Sequence, residues 1–388
     1  MKILIIGAGV AGLSIGWRLA QAGAEVDILE RGVAGRGATW ASAGMIAPGA
    51  ELGIEANAMA AFAHSARENW PGFAAELEAA SGTLVHYRQS GSLLVAENAA
   101  RAKTLQAHLS SPAEQGGAVE GDREAVEGAR SQPLGTEVKW LTPHELNQRE
   151  PLLSPDLFGA LEIPTDAQVD NRALVDALRI AAARAGARVH EHCNVRSLVI
   201  IEGRARGVIT DDGTREADLI VLACGAWMNL IAGVGTEDLP PVRPVKGQMI
   251  ACEPPAGTAL PRALIWSDDV YQVPRQHRLF IGATVEEAGF DTSVTREARD
   301  WLLDAAARVI PSLRHWRIAE MWAGLRPRTP DDAPVLGMTP VDRLLVAGGQ
   351  FRNGILFAPL VAETLSRMIL QNDPRLDAGA FDPKRFAV

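Results

Sequence analysis

The chain has 388 residues, 47% hydrophobic and 22% charged, with a formal net charge of −9. That length suggests about two domains and a core buried without staples, which excludes a disulfide mini-protein, a disordered tail, a collagen and a coiled coil. No long basic run offers a nucleic-acid surface, and three scattered cysteines without a CxxC, Cys193, Cys224 and Cys252, point to a reduced, cytoplasmic chain.

Lys2 and the apolar run after it, with Ala22-Gly23-Ala24 behind, superficially fit a secretory signal. The glycines at 7, 9, 12 and 16 argue against one, as does the continuation into a single structural unit. No apolar stretch of about 20 residues stands out, so no membrane span is expected. Residues 2–6 read instead as a buried parallel strand, followed by Gly7-Ala-Gly9-Val-Ala-Gly12. Leu13, Gly16, Trp17 and Ala20 recur at helical spacing, Gly23 closes that helix, and Glu25-Val-Asp-Ile-Leu29 is a second strand ending at Glu30. Strand, glycine turn, helix, strand and acid form the full dinucleotide fingerprint. Gly7 permits the tight turn, Gly9 admits the pyrophosphate and Gly12 allows close packing. The helix N-terminus faces the phosphates. Glu30 can accept from an adenosine ribose and would repel a 2′-phosphate, which argues against NADP.

Residues 56–80 and 97–110 look helical, and the polar stretch 111–137 reads as a surface excursion. An amphipathic helix over 169–185 leads to a strand at 187–192. There His190, His192 and Cys193 cluster, which reads as a solvated strand edge with no metal expected. Residues 198–201 and 205–210 flank a hairpin turn at Glu202-Gly203-Arg204. A buried strand at 218–223 precedes Cys224-Gly225-Ala226-Trp227, and 270–274 with 279–284 suggests antiparallel pairing. A last strand, 343–347, leads to Gly348-Gly349 and a helix starting near Gly354.

The fold class expected is therefore α/β: a Rossmann-like dinucleotide domain interrupted by a mostly antiparallel substrate domain. The division runs 1–85, 140–228 and 322–388 for the first and 86–139 with 229–321 for the second, the site lying where they meet. A single fingerprint serves the whole chain, which favours FAD bound once. The small, glycine-rich segment Gly35-Arg-Gly-Ala-Thr-Trp-Ala-Ser-Ala-Gly-Met45 suits close approach to a flat ring. The C-terminal helix can aim its positive dipole at the flavin.

Several motifs in order, Ala41-Ser-Ala-Gly-Met45, Pro244-Val-Lys-Gly-Gln248, Val270-Tyr-Gln-Val-Pro-Arg275, Trp322-Ala-Gly-Leu-Arg-Pro327 and Gly349-Gln-Phe-Arg-Asn-Gly-Ile355, join the fingerprint. Together they resemble the D-amino-acid-oxidase superfamily of flavoproteins, and within it the glycine-oxidase branch linked to thiazole formation in thiamine biosynthesis. The resemblance covers essentially the whole chain. It implies FAD held around Gly7, Gly9, Val10, Ala11, Gly12, Glu30, Arg31, Ala38, Thr39, Ala43, Gly44 and Met45, with Val195 and Gly225 on the same ligand. Gln350, Phe351, Arg352, Asn353, Gly354, Ile355 and Leu356 would line the flavin ring. Arg326 would pair with a substrate carboxylate, helped by Tyr271, with Arg352 beside both flavin and substrate.

The residue chemistry agrees with those roles. Arginine offers a planar bidentate fork for a carboxylate, although Arg326 could also serve a structural ion pair. Arg328, before Thr329-Pro-Asp-Asp332, suits a surface or ion-pair role. Tyr271, one of two tyrosines, could bond a carboxylate oxygen or simply fill the core. Hydride transfer needs no side-chain base, so no acid–base residue is assigned. Some superfamily members hold flavin through a C-terminal cysteine. The last cysteine here is Cys252, so FAD is expected to be non-covalent. Two positions depart from the glycine-oxidase pattern: Asp269 and Gln350 each stand where that branch has histidine. Asp269 either faces the pocket or belongs to a surface turn. The expected reaction is oxidation of glycine, sarcosine or small neutral D-amino acids with oxygen reduced to hydrogen peroxide. A D-amino-acid dehydrogenase with a quinone acceptor, or a non-catalytic flavin-binding subunit, is the alternative, and assembly into a homo-oligomer is left open.

Overall fold

The apolar run Lys2–Ile6 lies inside a six-stranded sheet, parallel to Leu219–Leu222 on one side and to Glu25–Leu29 on the other. The structure, a computed structural model, describes residues 1–51, 58–109, 138–371 and 379–386. Beyond those neighbours the sheet continues through Leu344–Gly348 to Val335–Met338, and through Glu25–Leu29 to Arg188–His190. Its strands thus come from the beginning, middle and end of the chain.

Side chains alternate across the strand, and both faces are covered. Ile3 and Ile5 join the core under the helices Val10–Gln21, Ala58–Ser81, Asn171–Arg184 and Gly354–Gln371. Leu4 and Ile6 face the three-stranded sheet of Val195–Ile201, Arg204–Thr210 and Gly213–Glu216. The first two of these strands pair antiparallel, as the hairpin reading required. Gly354–Gln371 is long and apolar enough to cross a membrane, which the sequence reading did not flag. Here it is a core helix: Phe357, Ala358, Val361 and Leu365 are fully buried, and Leu356 O accepts from Trp70 Nε1 at 3.0 Å.

The second unit is an eight-stranded, mostly antiparallel sheet. Its longest strands, Arg243–Glu253 and Arg317–Arg328, pair along their whole length, with Val245 opposite Arg326 and Gly247 opposite Gly324. Tyr271–Arg275 and Arg278–Gly282 form the antiparallel pair expected from their alternation. One face packs on the helix Arg296–Val309 through Ile250, Cys252 and Ile281. The opposite face, with Met249, Tyr271, Phe280 and Trp322, meets Ala41 and Ala43 of the glycine-rich segment and Ala47 just after it. The site lies at this meeting of the two sheets.

Three segments depart from the expected division. Ala160–Ile163 and residues 322–328, placed by sequence with the dinucleotide unit, hydrogen-bond in the eight-stranded sheet, and Lys139–Leu141, which the expected boundary after residue 139 cuts, does so as well. Lys139–Leu141 pairs with Ala160–Ile163, but Ala160–Ile163 joins the sheet through Ser92–Val95 and residues 322–328 through residues 243–249, partners far away in sequence that local pattern could not supply. The excursion at 111–137 lies outside the described residues.

At the sheet edge, His190 belongs to an ion-pair cluster. Burial works against a charge on Asp27, but hydrogen bonds from Arg188 and His190, each at 2.7 Å, hold its pKa down to about 2. Among the described residues no group of three or more His, Cys, Asp or Glu is arranged to hold a metal.

Candidate active site

The glycine turn forms the floor of the site. Gly7 has φ of +105°, and a Cβ there would lie 2.5 Å from Ala223 O. The helix Val10–Gln21 follows with Gly9 as its N-cap, which has no side chain to cap it; the Val10 N–H donates instead to Thr39 Oγ1 at 3.0 Å. Glu30 accepts from Ala8 N–H at 3.0 Å and from Gly32 N–H at 2.9 Å, which ties the turn to the loop beyond the second strand. Each carboxylate oxygen keeps a second lone pair.

Above this floor a cleft of about 880 Å³ runs between the two sheets. Gly7, Gly9, Val10, Ala11, Glu30, Arg31, Ala38, Thr39, Ala43, Gly44, Met45, Val195 and Gly225 line it, with Gln350, Phe351, Arg352, Gly354 and Ile355. Tyr271 and Arg326 line the same cleft. Three expected contacts are not on its wall. Gly12 packs under the turn, where a Cβ would lie 2.0 Å from Gly7 O. Asn353 turns inward to start the helix, accepting from Phe357 N–H at 2.8 Å, and Leu356 is in the helical core. Helical periodicity explains these exceptions, because a continuous motif entering a helix cannot keep every side chain on one wall.

The wall fits a bulky dinucleotide such as FAD. A Cβ on Gly9 would meet only Thr39 Oγ1, at 3.4 Å, and one on Gly225 would meet nothing within 4 Å, so the backbone stands open to a ligand. Gln350 is 5% exposed and its Nε2 has no hydrogen-bond partner among the described residues. A buried donor left unpaired is costly, and a ligand acceptor in the cleft would satisfy it. Arg31 lies over the Trp227 ring, 4.1 Å from its centroid, and Phe290 stacks with the same Trp227, ring centroids 5.9 Å apart. Local sequence assigns no role to Trp227, in the segment after the strand at 218–223, and carries no signal that marks Phe290.

The other end of the cleft carries positive charge. Arg326 is half-buried, and its Nη1 donates to Thr284 O at 3.1 Å and Lys246 O at 3.4 Å. Among the described residues no carboxylate pairs with it, so the structural ion pair left open by sequence is not formed. Gly247 makes its position possible: a Cβ there would lie 2.3 Å from Arg326 Nη1. Gly282 does the same for Tyr271, whose hydroxyl would lie 2.7 Å from an added Cβ. Burial raises the Tyr271 pKa above its ordinary value, while the Arg326 and Arg352 guanidiniums pull the other way. The phenol therefore stays protonated and can donate.

Glu51, at the end of the short helix Pro48–Glu51, also lines this cleft. Burial raises its pKa, opposed by the charges of Arg352 and Arg326. Nothing in the local sequence marks Glu51 as a site residue. Lys246, in contrast, is turned away and 2% exposed, donating to Asp291 at 2.7 Å. Arg328 makes the ion pair expected of it, with Asp332 at 2.5 and 2.9 Å. Asp269 lies on the surface paired with Arg308 and is not on the cleft wall, which settles the alternative in favour of the surface turn.

Comparison with known proteins agrees with this geometry. The family model described as FAD dependent oxidoreductase matches residues 2–368. The bifunctional protein ThiO/ThiG of Synechocystis sp. is 36% identical over 391 residues, covering 99% of this chain. This chain spans 54% of that relative, so about half its length. The crystal structure of glycine oxidase from Geobacillus kaustophilus superposes with a TM-score of 0.85 at 30% identity, covering 99% of both chains. The iminodiacetate oxidase of Chelativorans sp. BNC1 superposes with a TM-score of 0.84 at 27% identity, covering 98% of both. With the dinucleotide floor, the arginine-lined end and a match over nearly its whole length, the chain belongs to the FAD-dependent oxidoreductase family.

Proposed function

We propose that the chain oxidises glycine, sarcosine or small neutral D-amino acids, with oxygen as the electron acceptor, and that its product feeds thiazole formation for thiamine. For glycine the balance is glycine, oxygen and water giving glyoxylate, ammonia and hydrogen peroxide. The observation that carries this reading is the convergence of Arg326, Tyr271 and Arg352 at one end of a cleft whose other end is a dinucleotide floor. Relatives named glycine oxidase and ThiO/ThiG support the substrate class and the link to thiamine. Three free thiols, Cys193, Cys224 and Cys252, are in keeping with a cytoplasmic setting.

FAD, when bound, supplies the two-electron acceptor that takes hydride from the substrate and passes the electrons to oxygen. Glu30, Val10 and the open glycines would hold its nucleotide half, and the loop from Gln350 to Ile355 its ring. Arg326 receives the substrate carboxylate through its planar fork, fixed beforehand by its two carbonyl partners. The Tyr271 phenol donates to the same carboxylate, and Arg352, exposed at the cleft mouth, adds a second positive charge. The substrate ammonium loses its proton to water, so orientation and charge do the work and no side-chain base is required. A panel of glycine, sarcosine and both enantiomers of alanine, with peroxide detection, tests the proposal. Peroxide from glycine, sarcosine or D-alanine but not L-alanine is expected; a protein that turns over none of them contradicts it.

A further inference from the structure

We infer that Arg275 is a positioning residue that tunes the flavin: its guanidinium holds the Ala43–Gly44 peptide and polarises it, so that the site favours the reduced cofactor. The inference rests on the reading that Ala43 and Gly44 lie against the flavin.

Arg275 ends the strand Tyr271–Arg275 and is 7% exposed. Its Nη1 donates to Asn171 Oδ1 at 2.9 Å and lies 3.2 Å from Asp170 Oδ1. Its Nη2 donates to Ala43 O at 2.5 Å. Burial lowers the Arg275 pKa to about 10, against the pull of Asp170, so the guanidinium keeps its charge at neutral pH.

Ala43 and Gly44 line the cleft. A trans peptide carries its C=O and N–H on opposite sides, so the bond to Ala43 O turns the Gly44 N–H away from Arg275. On the Arg275 side there is no room for a side chain: a Cβ on Gly44 would lie 2.7 Å from Arg275 Nη2 and 2.1 Å from Val169 O. Gly44 O accepts from Val169 N–H at 2.8 Å, while the Gly44 N–H donates to no group among the described residues.

The neighbouring carbonyls are held by neutral donors. Asn171 Nδ2 donates to Thr39 O at 2.8 Å and to Trp40 O at 2.9 Å, and Trp322 Nε1 to Ala41 O at 2.9 Å. Arg275 is the charged donor to this row. A charged donor binds its acceptor more strongly than a neutral one, and in a dry interior it polarises the next link of the chain. The Gly44 N–H is that link, left unpaired on the cleft side. Reduction adds negative charge to a flavin, so a strengthened donor stabilises the reduced form more than the oxidised one. Asp170 lies on the other side of the guanidinium and offsets part of its field.

The test is the midpoint potential of the FAD-loaded protein, measured anaerobically against a reference dye together with FAD content. It compares the parent with Arg275→Gln and Asp170→Asn. Asparagine keeps the oxygen that caps the Arg172 and Ala173 N–H groups, at 3.0 and 3.1 Å, and removes only the counter-charge. Arg275→Gln should weaken the preference for reduced flavin about tenfold, a drop of about 30 mV for a two-electron couple. Asp170→Asn should raise the potential. A merely structural role would loosen the segment in both variants and would not move the potential in opposite directions. Shifts of the same sign, or both within about twofold of the parent, overturn the inference. Should Arg275→Gln fail to fold or to hold FAD, Asp170→Asn decides: a raised potential supports the inference, and an unchanged or lowered one overturns it. A parent that binds no FAD would overturn the reading of the cleft, and the inference with it. Opposite shifts in a protein that turns over no amino acid would support the inference and overturn the proposed reaction alone.

Discussion

Gly247→Ala tests the substrate anchor without removing any charged group. Gly247 sits on Arg243–Glu253 opposite Gly324, and a Cβ there would lie 2.3 Å from Arg326 Nη1 and 2.4 Å from Nη2. Methyl and guanidinium cannot share that space. What moves is the free end of a long side chain, so the fold yields readily and stability changes by less than about 1 kcal/mol. The displaced guanidinium gives up its 3.1 Å bond to Thr284 O and its alignment with the substrate carboxylate. One misplaced charge-assisted hydrogen bond is worth about 1.5–3 kcal/mol, which converts to roughly 10- to 150-fold in kcat/KM at about 1.4 kcal/mol per tenfold. Steady-state kinetics with glycine, alongside the melting temperature and FAD content, measure it. A variant that keeps kcat/KM within about threefold of the parent, with FAD and melting temperature intact, would refute the reasoning.

Other predictions follow from the same geometry. Arg326→Ala removes the anchor and should lower kcat/KM by roughly one and a half to three and a half orders of magnitude, from a loss of about 2–5 kcal/mol, with FAD still bound; a change under about threefold contradicts the assignment. Asp269→Asn, acting on a surface ion pair, should leave both the pH profile of kcat/KM and the discrimination against D-aspartate unchanged, and a shifted acidic limb would count against that placement. FAD should come off intact on denaturation, since no cysteine follows Cys252 to serve as a C-terminal attachment point; flavin that stays attached would disprove non-covalent binding. Burial pushes Asp166 up to about 7, so the folded chain keeps a proton that the unfolded chain releases near its ordinary value of 3.8. Stability should therefore fall as pH rises from about 4 to about 7 and then level off, by at most about 4 kcal/mol. Asp166→Asn should melt above the parent at about pH 8, with the gap closing toward about pH 4; parallel curves would show that Asp166 does not titrate this way.

The two ends of the cleft differ in how far sequence reveals them. The nucleotide end is contiguous: turn, helix and acid lie within residues 7–30, so spacing alone announces it. The substrate end is assembled from separate elements. Arg326, Tyr271 and Arg352 stand on two strands and a loop, and residue chemistry left each with a structural alternative; the family resemblance, not their spacing, grouped them. Gly247 stood in a quoted motif, but the need for glycine there becomes visible only when the Arg326 guanidinium lies over it. Glu51 has no local signature, because the short helix that ends at it is held from distant segments: Asp166 accepts from Gly49 N–H at 3.3 Å and from Ser92 Oγ at 2.7 Å. Asp269 was ambiguous for the opposite reason: a turn acid beside Tyr271 in sequence can point either way, and its partner Arg308 comes from a helix that local pattern does not connect to it.

The central claim is that Arg326 places an amino-acid carboxylate within reach of a flavin held on the glycine floor. Mixing the FAD-loaded protein with glycine in the absence of oxygen tests it most directly. The account predicts that the yellow colour bleaches in the parent, bleaches far more slowly in Arg326→Ala with the same FAD content, and returns on admitting air with release of hydrogen peroxide. A parent whose colour is unchanged by glycine, sarcosine and D-alanine, or an Arg326→Ala variant that bleaches at the parent rate, would contradict it.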